Sequence, residues 1–392
     1  MVTDARRVLQ LLKLSVVSPK FGIRRFLLIW LFTGIILFVA FWNKVTAGLD
    51  YVFFHKHRAV PVERPVFIIG NPRSGTTFFH SLMGLDSKRF THFQLWQTIF
   101  PMLTQAAGFR LIGAIDRLFF RPVFRLIRRF DNWVFGGWDG IHKTGFWASE
   151  ECETFFVFCW SSPGFYFLTP YVEAFPDVRY LDRDPPKKRR ASKAFYRSMV
   201  QKHLHYSRRK DGTYPRYLAK NVFLTGRLGC ISEEFAESQF ILLVRHPYEV
   251  IPSFVSMFSK PWSVHSPEIP RDSVYHRQLA QVVIDYYLDL EEHVRRLGPE
   301  RVLVIRYDEL VEDPKRVCED AYKFLGEEIT PEAEARLSAA TNRSRNYNSS
   351  HEYSLERYGL TKDGVYEELR EIFDKYGFDP EGPRQPTSTN SY

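Results

Sequence analysis

Residues 70–77, Gly70-Asn71-Pro72-Arg73-Ser74-Gly75-Thr76-Thr77, carry two glycines at the G-x-x-x-x-G spacing of a phosphate-binding loop. The loop follows a short apolar run, 66–70, and precedes residues of helical character, 76–85. Successive backbone N–H groups at a helix start, with the helix dipole behind them, bind tetrahedral anions. Gly75 permits close approach of the backbone, Ser74, Thr76 and Thr77 bring hydroxyls, and Arg73 brings a planar charged fork. In nucleoside-triphosphate enzymes a lysine follows the second glycine and the next hydroxyl holds magnesium. Thr76 stands where that lysine would be, and no aspartate is suitably placed for magnesium. The loop is therefore expected to hold an anion without a metal.

An acidic run lies at Glu150-Glu151-Cys152-Glu153. Read as a helix, 150–153 puts Glu150 and Glu153 on one face and turns Glu151 about 100° away. One glutamate can then enter a cleft while its neighbour orients other groups. The four cysteines, Cys152, Cys159, Cys230 and Cys318, lie far apart and show neither zinc spacing nor a disulfide framework, so they read as free thiols.

The elements that must position these groups follow from hydrophobic patterning. Runs 66–70, 239–244 (QFILLV) and 301–307 (RVLVIRY) are apolar on both faces, as buried strands of a parallel sheet are, and each precedes helical sequence. Repeated strand–helix units imply an α/β fold with a doubly wound parallel sheet flanked by helices. Residues 100–215 interrupt that rhythm with aromatic and basic sequence and read as a mostly helical insertion or cap. Within it, 109–129 holds Arg110, Arg117, Arg121, Arg125, Arg128 and Arg129 among large apolar residues. That is either a solvated cationic face over core or a second membrane-contacting surface. PPKKRR at 185–190 lacks the aromatic interleaving of a nucleic-acid patch and reads as an exposed loop, with no nucleic-acid partner expected. Residues 378–392 read as a disordered tail.

The net charge of +9 over 392 residues favours anionic partners, and an aromatic share of 16% suggests apolar pockets or a membrane-facing surface. Residues 26–42, FLLIWLFTGIILFVAFW, are uncharged and flanked by Arg24, Arg25 and Lys44. As a helix they rise about 25 Å, near the lower limit for a span, and no signal-type cleavage site follows. A retained membrane anchor over 23–46 is expected, preceded by a basic amphipathic segment, with the catalytic domain over 51–377.

The residues PRSGTT (72–77) resemble the loop of sulfotransferases that use 3′-phosphoadenosine 5′-phosphosulfate, where it grips the 5′-phosphosulfate. LVRHPYEVIPS (243–253) is similar to the family's second motif, a strand ending in arginine with a serine eight residues on; the resemblance implies that Arg245 and Ser253 bind the donor's 3′-phosphate. RYDELVEDP (306–314), FLG, and HEYSLERYGLT (351–361) look like a mainly bacterial branch, so the resemblance covers roughly 64–377. Arg343 and Arg345 either add charge to that pocket or lie on a solvated turn. The resemblance implies a P-loop-like sheet, this donor with no metal, and a hydroxyl acceptor, which anchoring suggests is lipid-like or membrane-associated.

Cytosolic relatives carry Lys-x-His before the second motif, with the histidine as base. Here the comparable residues are Lys220-Asn221-Val222, so the histidine is missing. A glutamate is the base in other relatives, and the bacterial branch carries a histidine followed by an acidic run, which the resemblance places here at His142-Lys143-Thr144-Gly145 and Glu150-Glu151-Cys152-Glu153; the expected order is Glu151, then Glu150, then His142, with Arg73 serving both binding and transfer. The alternatives are a P-loop kinase or nucleotidase, and an anchored nucleotide-binding scaffold without turnover. The cations before the anchor would send the domain across the membrane. That suits a Golgi lumen in a eukaryote; a bacterial donor pool is cytosolic, and the apolar segment would then dip into or lie along the interface.

Overall fold

In a computed structural model, residues 4–17, 21–135, 145–344 and 354–383 are described. Five parallel strands form one sheet in the order β2-β3-β1-β4-β5: β1 Val66–Gly70, β2 Phe90–Thr91, β3 Arg216–Lys220, β4 Gln239–Val244 and β5 Val302–Arg306. Alternation along each strand feeds two cores. Phe67, Ile69, Tyr217, Phe240 and Leu242 point into the larger one, whereas Val66, Ile68, Leu218, Ile241 and Leu243 point into the other. Both faces are covered by helices, which is why β1 and β4 read as unbroken or nearly unbroken apolar runs.

The central strand, β1, has β3 on one side and β4 on the other, so the strand order reverses direction around it. At such a switch point the loops leaving adjacent C-terminal strand ends diverge and open a crevice. Gly70 aligns with Leu243 of β4, and Ile68 with Lys220 of β3. Three chain ends therefore meet: the glycine loop, Lys220, and Arg245 just past Val244. A Cβ on Gly70 would come within 2.5 Å of the Leu243 carbonyl oxygen, so only glycine permits this approach.

Two strands, β2 and β3, were not expected. Only three residues of β3, Tyr217-Leu218-Ala219, separate the charged Arg216 and Lys220, too short a run to stand out. Residues 100–215 are helical in part, with helices Leu103–Leu118, Pro122–Phe135, Thr154–Val157 and Pro186–Tyr206. The later portion is not separate from the sheet: Phe155, Trp160, Tyr166 and Tyr196 lie in the same core as Phe67 and Phe240. The basic run at 185–190 is a helix start rather than a loop, with Lys188 paired to Asp184 and Arg189 to Glu233. Phe378 packs against His246 (centroids 5.2 Å), and the Asp379 carbonyl accepts from the His246 ring, so the domain extends past 377. The remaining tail from 384 lies outside the described residues.

The apolar N-terminal segment belongs to one helix, Ile23–Phe53, long and apolar enough to cross a membrane by length and composition. Near its C-terminal end Asp50 is buried. Its carboxylate accepts from the Leu103 and Thr104 amides (3.0 and 2.7 Å), capping helix Leu103–Leu118, and pairs with buried Lys202 at 2.9 Å. Asp50→Ala should remove the cap and leave Lys202 buried without its carboxylate, lowering the unfolding free energy by about 3–5 kcal/mol. The drop is read from the denaturant midpoint; an unchanged midpoint would show that this pair does not hold the helix to the domain.

Candidate active site

The loop after β1 opens helix Thr76–Met83 with two residues at positive φ, Arg73 at 75° and Gly75 at 86°. Left-handed backbone is uncommon for a residue such as arginine and is retained where the surroundings demand it. At Gly75 the demand is steric, since a Cβ there would meet the Tyr307 ring at 2.7 Å. The turn closes through the Ser74 amide, which donates to the Asn71 carbonyl at 3.2 Å. Ser74 Oγ is fully buried and has no hydrogen-bond partner among the described residues, as expected of a group facing a ligand position.

The second motif converges on the same loop. Arg73 Nε donates to Ser253 Oγ at 3.1 Å, and Arg245 Nη1 donates to the Arg73 carbonyl at 3.1 Å. Ser253 lies on helix Pro247–His265, whose first turn also supplies Glu249; that carboxylate accepts from Arg245 Nη2 at 2.7 Å. The Arg245 guanidinium lies over the Tyr307 ring, 4.1 Å from its centroid, a cation–π contact. Tyr307 thus touches both anion-binding motifs, a role unmarked in RYDELVEDP.

Lys220 completes the cluster. Its ammonium is wholly buried, donates to Thr77 Oγ1 at 3.0 Å and lies 3.2 Å from Glu151 Oε1. Glu151 retains about a fifth of its side-chain surface (18%), so it faces the crevice. Burial pushes its carboxyl above the ordinary carboxylate value; Lys220 opposes that shift and neighbouring Glu150 adds to it.

The helix expected across 150–153 begins only at Thr154. Ser149 is instead bridged to Gln94, and the Glu150 amide donates to the Phe93 carbonyl at 3.0 Å, so a strand-like approach precedes the turn. Glu150 accepts from the Glu151 amide and is turned back on its own chain. Glu153 is drawn into the core, where Arg227 grips both its oxygens at 3.1 Å and Asn221 donates at 2.9 Å. Thus the structure brings together Arg73, Ser74, Gly75, Thr76, Thr77, Arg245, Ser253 and Glu151. His142 and Arg345 lie outside the described residues, as does the Arg343 side chain. Val222, where cytosolic relatives have histidine, is buried.

His80, one helical turn past Thr76, was not singled out from sequence. It is buried beside His92, with Nδ1 3.0 Å from Ser149 Oγ. Burial holds its pKa well below the usual value, with His92 and Lys220 adding to the effect, so it stays neutral. Lys220 itself was legible only as a possible motif match; its position at a strand end, like Gly70 and Arg245, is the signal that could have marked it.

The division between Glu151 and Glu153 can be read from stability. Glu153→Gln should leave Arg227 buried without a full counter-charge and lower the unfolding free energy by about 3–5 kcal/mol. Calorimetry or denaturant titration measures this; a shift below about 1 kcal/mol would remove Glu153 from the scaffold.

A model described as the sulfotransferase family matches residues 168–331, a stretch that includes β3, β4 and β5. Omega-hydroxy-beta-dihydromenaquinone-9 sulfotransferases (Stf3) of Mycobacterium bovis and Mycobacterium tuberculosis are each 26% identical over 375 residues, covering 90% of this chain and 86% of theirs. Sulfotransferase STF9 of Mycobacterium avium shares the fold with a TM-score of 0.69 at 18% identity, covering 86% of this chain and 83% of its own. STF1 of Mycobacterium tuberculosis H37Rv does so at 0.68 and 17%, covering 94% and 92%. The resemblance first visible in two short motifs extends over almost the whole chain, and the family model, the curated relatives and the shared fold agree on an enzyme of sulfuryl transfer.

Proposed function

We propose that the protein transfers the sulfuryl group of 3′-phosphoadenosine 5′-phosphosulfate to the hydroxyl of a lipid-like, membrane-associated acceptor, with Glu151 as base. The observation that carries this reading is Lys220, buried between Thr77 of the anion loop and the Glu151 carboxylate. One cation thereby joins the donor side to the proton acceptor. The two curated relatives are named for a hydroxylated menaquinone, a long prenyl lipid, which supports a lipid-like acceptor here as well.

The chemistry divides among the chain's residues. Loop amides, Ser74, Thr76 and Thr77 cradle the 5′-phosphosulfate; Arg245 and Ser253 hold the 3′-phosphate. The acceptor oxygen attacks sulfur in line as its proton passes to Glu151. As the bond from sulfur to the bridging oxygen of the 5′-phosphate breaks, Arg73 and Lys220 meet the charge on the leaving phosphate. Because Arg73 bonds Ser253 and its carbonyl accepts from Arg245, the two phosphate sites are expected to assemble as one unit. Chain cations supply the counter-charge, so turnover is expected to survive chelation of divalent metals.

Glu151→Gln keeps the shape and removes proton acceptance. It should lower kcat by about 10²–10⁴ with little change in affinity for 3′-phosphoadenosine 5′-phosphate. The base works only when ionised, and its pKa is raised, so activity should fall with decreasing pH at a point above the ordinary carboxylate range. Lys220→Met removes the cation that opposes burial and should move that acid limb to higher pH. A pH profile of kcat whose limb stays fixed in Lys220→Met, or near-normal turnover in Glu151→Gln, would assign the proton to another group.

Arg245 and Ser253 predict discrimination at the 3′ position. The bisphosphate should bind far more tightly than AMP, and Arg245→Ala should erase most of that margin, about 2–5 kcal/mol. Calorimetry giving equal affinities for the two nucleotides in the unaltered protein would overturn this assignment.

A further inference from the structure

Helix Ile23–Phe53 buries an unexpected face. Its buried residues are Arg25, Ile29, Thr33, Ala40, Asn43, Thr46 and Asp50, a stripe that is largely polar and runs nearly end to end. Three of its polar residues, spread along the stripe, engage the catalytic domain. Arg25 pairs with Glu268, Asn43 donates to the Ile99 carbonyl at 2.9 Å and accepts from Gln105 at 2.7 Å, and Asp50 pairs with Lys202. The opposite face exposes Leu31, Ile35, Phe38 and Phe41.

Arg25 and Asp50 are about 38 Å apart along the helix, more than the roughly 30 Å hydrocarbon core of a bilayer. Both are bonded to one domain. The preceding helix, Ala5–Val17, is bound to it too, with Val8 and Leu11 in the main core and Arg7 bonded to Asp177. A span would require that domain to lie on both sides of the membrane at once.

A second apolar surface adjoins this helix. Helices Leu103–Leu118 and Pro122–Phe135 form a hairpin whose first helix is capped by Asp50. At its tip Asp116 accepts from the Val123 and Phe124 amides (2.8 and 3.0 Å), and Phe120 and Arg121 adopt left-handed backbone at φ 59° and 61°. The strained turn holds Phe119 and Phe120 outward, the latter 87% exposed. Arg110, Arg117, Arg121, Arg125, Arg128 and Arg129 surround these apolar side chains and are all exposed, while Asp116, the hairpin tip's own carboxylate, is buried as a cap. Exposed apolar rings among arginines that have no ion-pair partner among the described residues match an anionic headgroup layer over acyl chains. The hairpin also contacts the segment that leads to Glu151. Asp131 accepts from the Phe146 amide at 2.8 Å and Phe124 packs on Trp147, four residues before Glu151.

We propose that the outer face of helix Ile23–Phe53 and the 103–135 hairpin together form an in-plane surface for an anionic bilayer, entering a single leaflet without spanning it. The acceptor then reaches Glu151 from the side of the lipid. The test uses the full-length chain, tagged at both ends, with sealed phosphatidylcholine vesicles prepared with and without phosphatidylglycerol. Binding should require the anionic lipid, and protease added outside should remove both tags; one protected tag would mean a span and overturn the proposal. The double variants Phe119→Ser/Phe120→Ser and Arg121→Glu/Arg125→Glu should each weaken vesicle partition by about tenfold or more. Their affinity for 3′-phosphoadenosine 5′-phosphate, used as the measure of folding, should not change. If both variants bind vesicles normally but dissociate a dimer in sedimentation, a second copy covers this face and the proposal fails.

Discussion

A buried ammonium with two partners holds the site together. Lys220 ends β3 beside the central strand, and no part of its side chain reaches solvent. A buried cation without counter-charge costs several kcal/mol, so the chain around it must supply one. The counter-charge is Glu151, at the entry to the Thr154–Val157 helix, and Thr77, in the first turn after the anion loop, adds a hydrogen-bond acceptor. Each partner thereby fixes a different wall of the crevice. The sheet makes this arrangement available, because parallel pairing of β3, β1 and β4 brings all three C-terminal ends to one edge.

Two buried cations, Lys220 and Arg227, give two neighbouring glutamates different characters. Glu153 lies in the core, held by both arms of Arg227 and by Asn221, and its position leaves no path to a substrate. Glu151 has one cationic partner and residual exposure, with its carboxyl raised by burial. A carboxylate that is partly desolvated yet open to the crevice suits proton transfer at neutral pH. Tyr307 does comparable positioning work opposite it, filling the space beneath Gly75 and carrying Arg245 on its ring.

The N-terminal helix reverses the usual amphipathic order. A helix on a soluble domain buries its apolar stripe and hydrates its polar one, whereas Ile23–Phe53 turns Arg25, Asn43 and Asp50 inward to ion pairs and hydrogen bonds with the domain. That arrangement is stable in a complete environment only if something apolar meets the outer face. The anionic bilayer proposed above is such a medium, because guanidinium groups flanking exposed rings fit phosphate headgroups better than a protein core.

Local sequence determined the loop, three of the five strands, the strand-end arginine with its serine, and the presence of an apolar helix. Each of these is written within a few consecutive residues: glycine spacing, unbroken apolar runs, a strand-end arginine with a serine one helix turn and more beyond it. β3 stayed hidden because only three uncharged residues separate its terminal cations, and β2 because it is two residues long. Which glutamate faces the crevice was undetermined for a different reason. Residues 150–153 are not helical, and their side chains are sorted by Lys220 and Arg227, some 70 residues away, which no local periodicity reports. The same holds for the apolar helix. Its hydrophobicity is local and legible, but whether it crosses a bilayer or lies along one depends on Arg25, Asn43 and Asp50 finding partners at positions 268, 99, 105 and 202, pairings that exist only once the chain has folded.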